Sequence, residues 1–187
     1  MGKAIWQPGT LLAPVPPAMV TCGTLQKPNI ITIAWTGILN STPPVTYISV
    51  RPERYSHDII SQSKEFVINL TTRDLVFACD YCGVKSGAKE DKFKSTKLTP
   101  EAASEINAPI LMESPVNIEC RVREILPLGS HDMFIADIMA VQIDERFIDK
   151  NGKLDMSLCG LVACSHGEYF ALGEKLGSFG YSVRKKK

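Results

Sequence analysis

The sequence predicts a mainly β fold, a barrel of antiparallel strands with helices inserted between them. Three observations predict it. Short runs of β-branched and apolar residues recur between turn signals, strand-like segments outnumber helical ones, and the helical segments interrupt the strand series instead of alternating with it. At 187 residues, 44% hydrophobic and 22% charged, with no internal repeat or low-complexity linker, the chain is expected to form one globular domain over residues 1–187.

Taken in order, Ala18 to Leu25 and Ile30 to Leu39 read as the two strands of a hairpin, bounded by Pro16-Pro17, Lys27-Pro28-Asn29 and Pro43-Pro44. Val45 to Arg51 is a third strand. Tyr55 to Ser63 places Ile59 and Ile60 on a short amphipathic helix, and Phe66, Ile68 and Leu70 alternate with Val67, Asn69 and Thr71 in a fourth strand. Leu75 to Gly83 reads as a helix. Val116, Ile118, Cys120 and Val122 alternate with Asn117, Glu119, Arg121 and Arg123, which predicts one core face and one wet face. Phe134 to Ile143 is apolar on both faces, as in a strand buried inside a barrel or under a partner subunit. Leu154 to Ala163 is apolar without a clear period.

Composition excludes several functions. With 21 Lys+Arg against 20 Asp+Glu, the formal net charge of +1 supplies no field to gather nucleic acid or an anionic membrane. The cationic run Arg184 to Lys187 reads as a solvated tail. No stretch is long and apolar enough to span a bilayer, and the first residues lack a signal-peptide core, so a cytoplasmic protein is expected, its six cysteines reduced. Gly-rich nucleotide loops, a Gly-x-Ser-x-Gly elbow and a His-Glu-x-x-His pair are all missing. The three histidines have no ligand spacing, so no metal site is assigned. Cys79 and Cys82 have the spacing of a redox dithiol or half a zinc site, but no second pair accompanies them. They also close a helix instead of opening one, so buried or pocket-lining cysteines are the simpler reading.

The informative block is Thr32-Ile33-Ala34-Trp35-Thr36-Gly37-Ile38-Leu39-Asn40-Ser41-Thr42-Pro43-Pro44, followed by Ser49-Val50-Arg51 and Arg54-Tyr55-Ser56-His57. A Gly-containing turn rich in hydroxyls can present backbone N–H groups to a flat heterocycle while Trp35 covers an apolar edge. An Arg, a Ser and a helix N-terminus together make a phosphate seat. A ring site and a phosphate site one short strand apart describe a mononucleotide such as FMN. An ordinary barrel corner with a capping Ser is the alternative.

The segment from Pro17 to Leu70 resembles the N-terminal half of the flavin reductase-like family. The likeness rests on a Pro before a Val-Thr strand, Asn29, Ala34-Trp35, Pro43-Pro44, Ser49-Val50-Arg51 and Glu65-Phe66-Val67-Ile68-Asn69-Leu70. Cys82-Gly83-Val84-Lys85-Ser86-Gly87 with Asp91-Lys92-Phe93, then Gly129-Ser130-His131 and Gly167 to Glu174, are similar to later family signatures, and the likeness is greatest to flavoredoxin and ferric reductase members. The resemblance implies a homodimeric, FMN-binding split β-barrel with the flavin near the subunit interface. It implies that Trp35, Thr36, Gly37 and Ile38 lie along the isoalloxazine with Asn40 and Ser49 nearby, and that Arg51, Ser56 and His57 serve the ribityl phosphate, helped by Ser86 and Lys92. His131 matches a family histidine at the nicotinamide or acceptor face, a backbone-bonded turn residue being the alternative. Ser130 stands where many flavin reductases have Asp, and Ser56 where Thr is common.

The cofactor carries the chemistry in such a protein, so no catalytic side chain is expected. The implied activity is transfer of electrons from NAD(P)H or a reduced carrier to a flavin, a ferric chelate or a redox protein. A carrier without NAD(P)H turnover, a Cys79/Cys82 zinc or dithiol protein and a purely structural dimer are the alternatives.

Overall fold

Residues 2–184 are described by the computed structural model. The strands and helices, in chain order, are β1 (Ala18–Thr24), β2 (Lys27–Ile33), β3 (Thr36–Ser41), β4 (Pro44–Val50), α1 (Tyr55–Ser63), β5 (Glu65–Leu70), α2 (Val76–Val84), α3 (Lys92–Thr96), β6 (Pro100–Glu101), β7 (Ile110–Leu111), β8 (Val116–Pro127), β9 (Asp132–Ile143), β10 (Val162–Ser165) and β11 (Glu168–Ala171). Seven of the strands make one antiparallel sheet in the order β2-β1-β5-β8-β9-β4-β3.

The sheet curls until its two ends share a core. Ile31 and Ile33 of β2 pack in the same cluster as Ile48 and Val50 of β4, with Ile60 of α1, Phe66 of β5 and Phe134 of β9 filling the space between. The edges β2 and β3 are not hydrogen-bonded to each other, so the barrel stays split along one seam. Helix α1 packs against β1 and β2. Against the other face of β1 and β2, helices α2 and α3 bury Leu75, Cys79, Cys82 and Phe93 on Met19 and Ile30.

Two expectations from sequence are corrected here. Ile30 to Leu39 is not one strand: β2 ends at Ile33 on one edge of the sheet and β3 starts at Thr36 on the other, so the chain bends at Ala34–Trp35. Nor is the polar face of β8 uniformly wet. Asn117 and Glu119 are fully covered because the segment between β6 and β7 folds over them. Glu119 accepts bonds from Ser104 N–H (2.9 Å), Ser104 Oγ (2.8 Å), Glu105 N–H (2.8 Å) and Gln142 Nε2 (2.8 Å). Asn69 donates to the Met19 carbonyl and Thr21 Oγ1, and accepts from Leu111 N–H and Asn117 Nδ2. Buried polar groups survive only when partnered, so these side chains lock the connecting segment to the sheet.

Strand β9 buries Phe134 and Ala136 but leaves Met139 and Val141 exposed. The run Leu154 to Ala163 becomes a 3₁₀ turn at Met156–Leu158 and the start of β10. The residues of the basic run after Arg184 lie outside those described. Among the described residues, no helix is long and apolar enough to cross a membrane.

Burial pushes the Glu119 carboxyl up, but the hydrogen bonds from Gln142, Ser104 and Glu105 outweigh it and hold the group below its ordinary value of 4.5. The stability it contributes is complete above pH 4.5 and is lost as pH falls through the lower folded value. Urea unfolding is expected to show that Glu119→Gln costs about 1–3 kcal/mol at pH 7, because an amide cannot accept all four bonds. The same variant should lose less stability than the wild type between pH 5 and pH 3.

Candidate functional site

The bend at Ala34–Trp35 opens a groove along the seam. Its first hollow, of about 170 Å³, is walled by Ile31 to Trp35, by Ser49 to Arg51, and by Arg54 and His131. The Trp35 carbonyl accepts from Ser49 N–H at 2.9 Å, which ties the bend to β4. His131, in the turn between β8 and β9, lies over Trp35 with ring centroids 4.6 Å apart and planes 35° from parallel. Partial burial, then the nearby Arg51 and Arg54, push its imidazole below the ordinary value, with Glu53 opposing. A neutral ring therefore faces this hollow at pH 7.

The second hollow, of about 300 Å³, shares Ile31 and Arg54 with the first and adds Tyr55, Ser56, Lys85, Ser86, Gly87 and Lys92. Helix α1 opens here with Arg54 as N-cap and no side-chain cap, so its first N–H groups point outward at the positive end of the helix dipole. Lys92 is buried. Its Nζ donates to the Cys82 and Lys85 carbonyls at 2.9 and 3.1 Å, and burial pushes its pKa down. Asn29 donates to Ser56 Oγ at 2.8 Å and to Cys22 Sγ, fixing the Ser56 hydroxyl. On the far side of Tyr55, Gly87 and Lys92 is a third hollow of about 410 Å³, reaching Phe93, Glu90 and Asp91.

The fold brings together Trp35, Ser49, Arg51 and His131 at one end, and Ser56, Ser86 and Lys92 at the other. It does not bring Thr36, Gly37, Ile38 and Asn40 into either hollow. They run along edge strand β3, where Thr36 donates to the Tyr47 carbonyl, Gly37 abuts the Tyr47 ring, Ile38 is exposed and Asn40 donates to the Pro43 carbonyl. Arg51 lines the ring-side hollow and pairs with Glu53 at 3.6 Å; the arginine common to both hollows is Arg54. His57 lines neither. It turns to Asp132, with Nε2 2.8 Å from Oδ2. Sequence reasoning passed over Arg54 and Asp132: the first was quoted only as part of a motif, and the second is paired by tertiary structure.

Cys79 and Cys82 are fully buried in the core under α2, and burial raises both thiols, Cys82 to about 11. Thiols in that state have little thiolate for metal or disulfide exchange, and no cluster of three or more metal-ligating side chains forms among the described residues.

A split antiparallel barrel with a groove that joins an aromatic pair to a group of cations and hydroxyls has the architecture of a cofactor-binding protein. The chain belongs to the flavin reductase-like family, whose domain model, the flavin reductase like domain, matches residues 11–157. It is similar to the flavoredoxin of Desulfovibrio vulgaris, 33% identical with a TM-score of 0.89 over 98% of this chain and 100% of that one. The flavoredoxin of Methanosarcina acetivorans is 25% identical, with a TM-score of 0.87 over 98% and 100% of the two chains. An uncharacterized protein of Archaeoglobus fulgidus is 31% identical over 78% of this chain and 81% of its own. The function that follows from membership is flavin-dependent redox chemistry.

A Cβ added at Gly87 would sit 2.0 Å from Asn29 Oδ1, whose side chain is held by Ser56 and Cys22. Gly87→Ala is therefore expected to displace Asn29 and cost about 1–3 kcal/mol in thermal or urea unfolding.

Proposed function

We propose that the groove holds one FMN, its ring system beside Trp35 and His131 and its phosphate in the hollow of Arg54, Ser56, Ser86 and Lys92. The protein then passes electrons from NAD(P)H or a reduced carrier to a flavin, ferric or protein acceptor. The observation that carries this reading is the sharing of Ile31 and Arg54 by two hollows, one holding the Trp35–His131 pair with Arg51 and the other holding Lys85, Lys92, Ser56 and Ser86, with Glu53 as its one carboxylate. The donor set fits the group: a buried ammonium, a guanidinium, two hydroxyls and an uncapped helix N-terminus suit a phosphate, and an apolar wall suits a planar ring.

When bound, FMN supplies hydride and single-electron transfer. The chain's own residues bind and orient it. Lys92, with two carbonyls already satisfied, keeps its charge directed into the phosphate hollow. Arg51 and Arg54 favour negative charge on whatever lies between them. His131, neutral and stacked, offers an imidazole to the acceptor face without competing as a cation. The name flavoredoxin borne by two similar proteins supports the electron-transfer reading. Exposed Met139 and Val141 on β9, with Ile38 and Leu39 on edge strand β3, support a homodimer that covers them.

Purified protein supplemented with FMN is expected to retain visible flavin absorption through gel filtration. Because Arg54 is exposed, Arg54→Ala should fold normally while weakening FMN binding about tenfold or more, more so at low salt. Unchanged affinity would remove Arg54 from the site. Anaerobic mixing with NADH or NADPH separates a reductase, which bleaches, from a carrier loaded by another protein, which does not.

A further inference from the structure

We infer that the His57–Asp132 pair is a positioning strut that fixes one end of the groove against the other, and that His57 works through its neighbours and not as a phosphate ligand. The inference rests on the FMN reading only for its binding measurement. His57 directly follows Ser56, a wall of the phosphate-side hollow, and Asp132 directly follows His131, a wall of the ring-side hollow. The two side chains meet at 2.8 Å across a sequence separation of 75 residues, and only 13% and 17% of their surfaces are exposed.

The Nε2–H of the His57 ring donates to the Asp132 carboxylate, while Nδ1 lies 3.4 Å from Oδ1 of the exposed Asp58. The donating nitrogen is engaged by Asp132, and the ring lines neither hollow. The ring edge also abuts Phe134 in the core, at 5.2 Å and 76°. At the other end, Asp132 is held by strand pairing to Val50 of β4 and Pro127 of β8. The strut therefore joins the first turn of α1 to the first residue of β9. The turn that carries His131 has Gly129 at φ 98° and an exposed Ser130, and its internal fastenings are the Leu128 N–H to His131 carbonyl bond and the Ser130 Oγ to His131 Nδ1 contact, each at 3.0 Å. Without the strut, the seat of His131 over Trp35 rests on those two contacts and on the strand pairing of Asp132.

The test reads the His131 seat in the protein without flavin. NMR should find the His131 imidazole protons shifted upfield by the Trp35 ring. In His57→Ala and Asp132→Ala the shift is expected to collapse, and FMN binding, followed by flavin fluorescence, should weaken about tenfold. Asp132→Asn keeps an oxygen that accepts from Nε2–H, so it should restore both readouts to within about twofold of wild type. The control Asp58→Asn should change neither. The inference is overturned if His57→Ala, a helix variant that leaves the sheet ladder intact, keeps the upfield shift. It is equally overturned if Asp132→Asn behaves like Asp132→Ala, since charge and not position would then be the cause. Should the shift collapse as expected while the wild type binds no FMN, the strut stands and the FMN reading falls.

Discussion

The constraint on which the molecule depends is that β2 and β3 are consecutive in sequence yet lie on opposite edges of one curled sheet. The two residues between them, Ala34 and Trp35, carry the chain across the split between those edges, and they are anchored there by the Ser49 N–H to Trp35 carbonyl bond. Edge strands left without a partner expose backbone groups that must be covered or put to use. Here α1 packs on the β2 side, and the hollows lie between β2, the bend and the end of β4. Trp35, at that bend, is 42% exposed.

A groove along a seam has its width set by whatever stops the sheet from opening. On the side away from the seam, Asn69, Asn117 and Glu119 fasten β7 and the segment before it over the sheet with bonds of 2.8 to 3.0 Å. Thr21 adds a bond to the Pro109 carbonyl. Each partner lost would leave another buried group unsatisfied, so this network resists graded loosening. The apolar cluster inside the barrel sets which face of each strand turns inward, and these directional contacts add the placement of the covering segment.

Much of this was legible in the sequence. Period-two alternation located β5 and β8, apolar and β-branched runs located β4 and β9, and the diproline and the Lys-Pro-Asn stretch marked the ends of strands or their near neighbours. Helix α1 has the bounds its sequence suggests, Tyr55–Ser63. What local pattern could not supply was which edge a strand joins. Ile30 to Leu39 has one continuous apolar character, and only the global curl breaks it at Ala34. Glu119 was read as solvent-facing because alternation assumes open water on one side, and nothing local announces a covering segment. At the site, Trp35, Ser49, Arg51, Ser56, Ser86, Lys92 and His131 were legible as a constellation because family spacing brings them forward. Thr36, Gly37, Ile38 and Asn40 adjoin Trp35 in sequence, but past the crossing a strand's direction carries them off along the edge.

The distribution of charge in the groove follows the same geometry. Burial depresses the pKa of His131 on one side and of Lys92 on the other, and Arg54, at the junction of the two hollows, adds to both. Each of these groups is also partly or largely withdrawn from water, which disfavours its cationic form. An anion lying between them offsets that effect. A dianionic phosphate against Lys92 and Arg54 has the sign and position to do so. The net charge of +1 does not reveal this local grouping, in which Arg51 pairs with Glu53 and His57 with Asp132. The candidate site gathers cationic groups without the protein as a whole being basic, a distribution that suits a cofactor cleft more than a nucleic-acid surface.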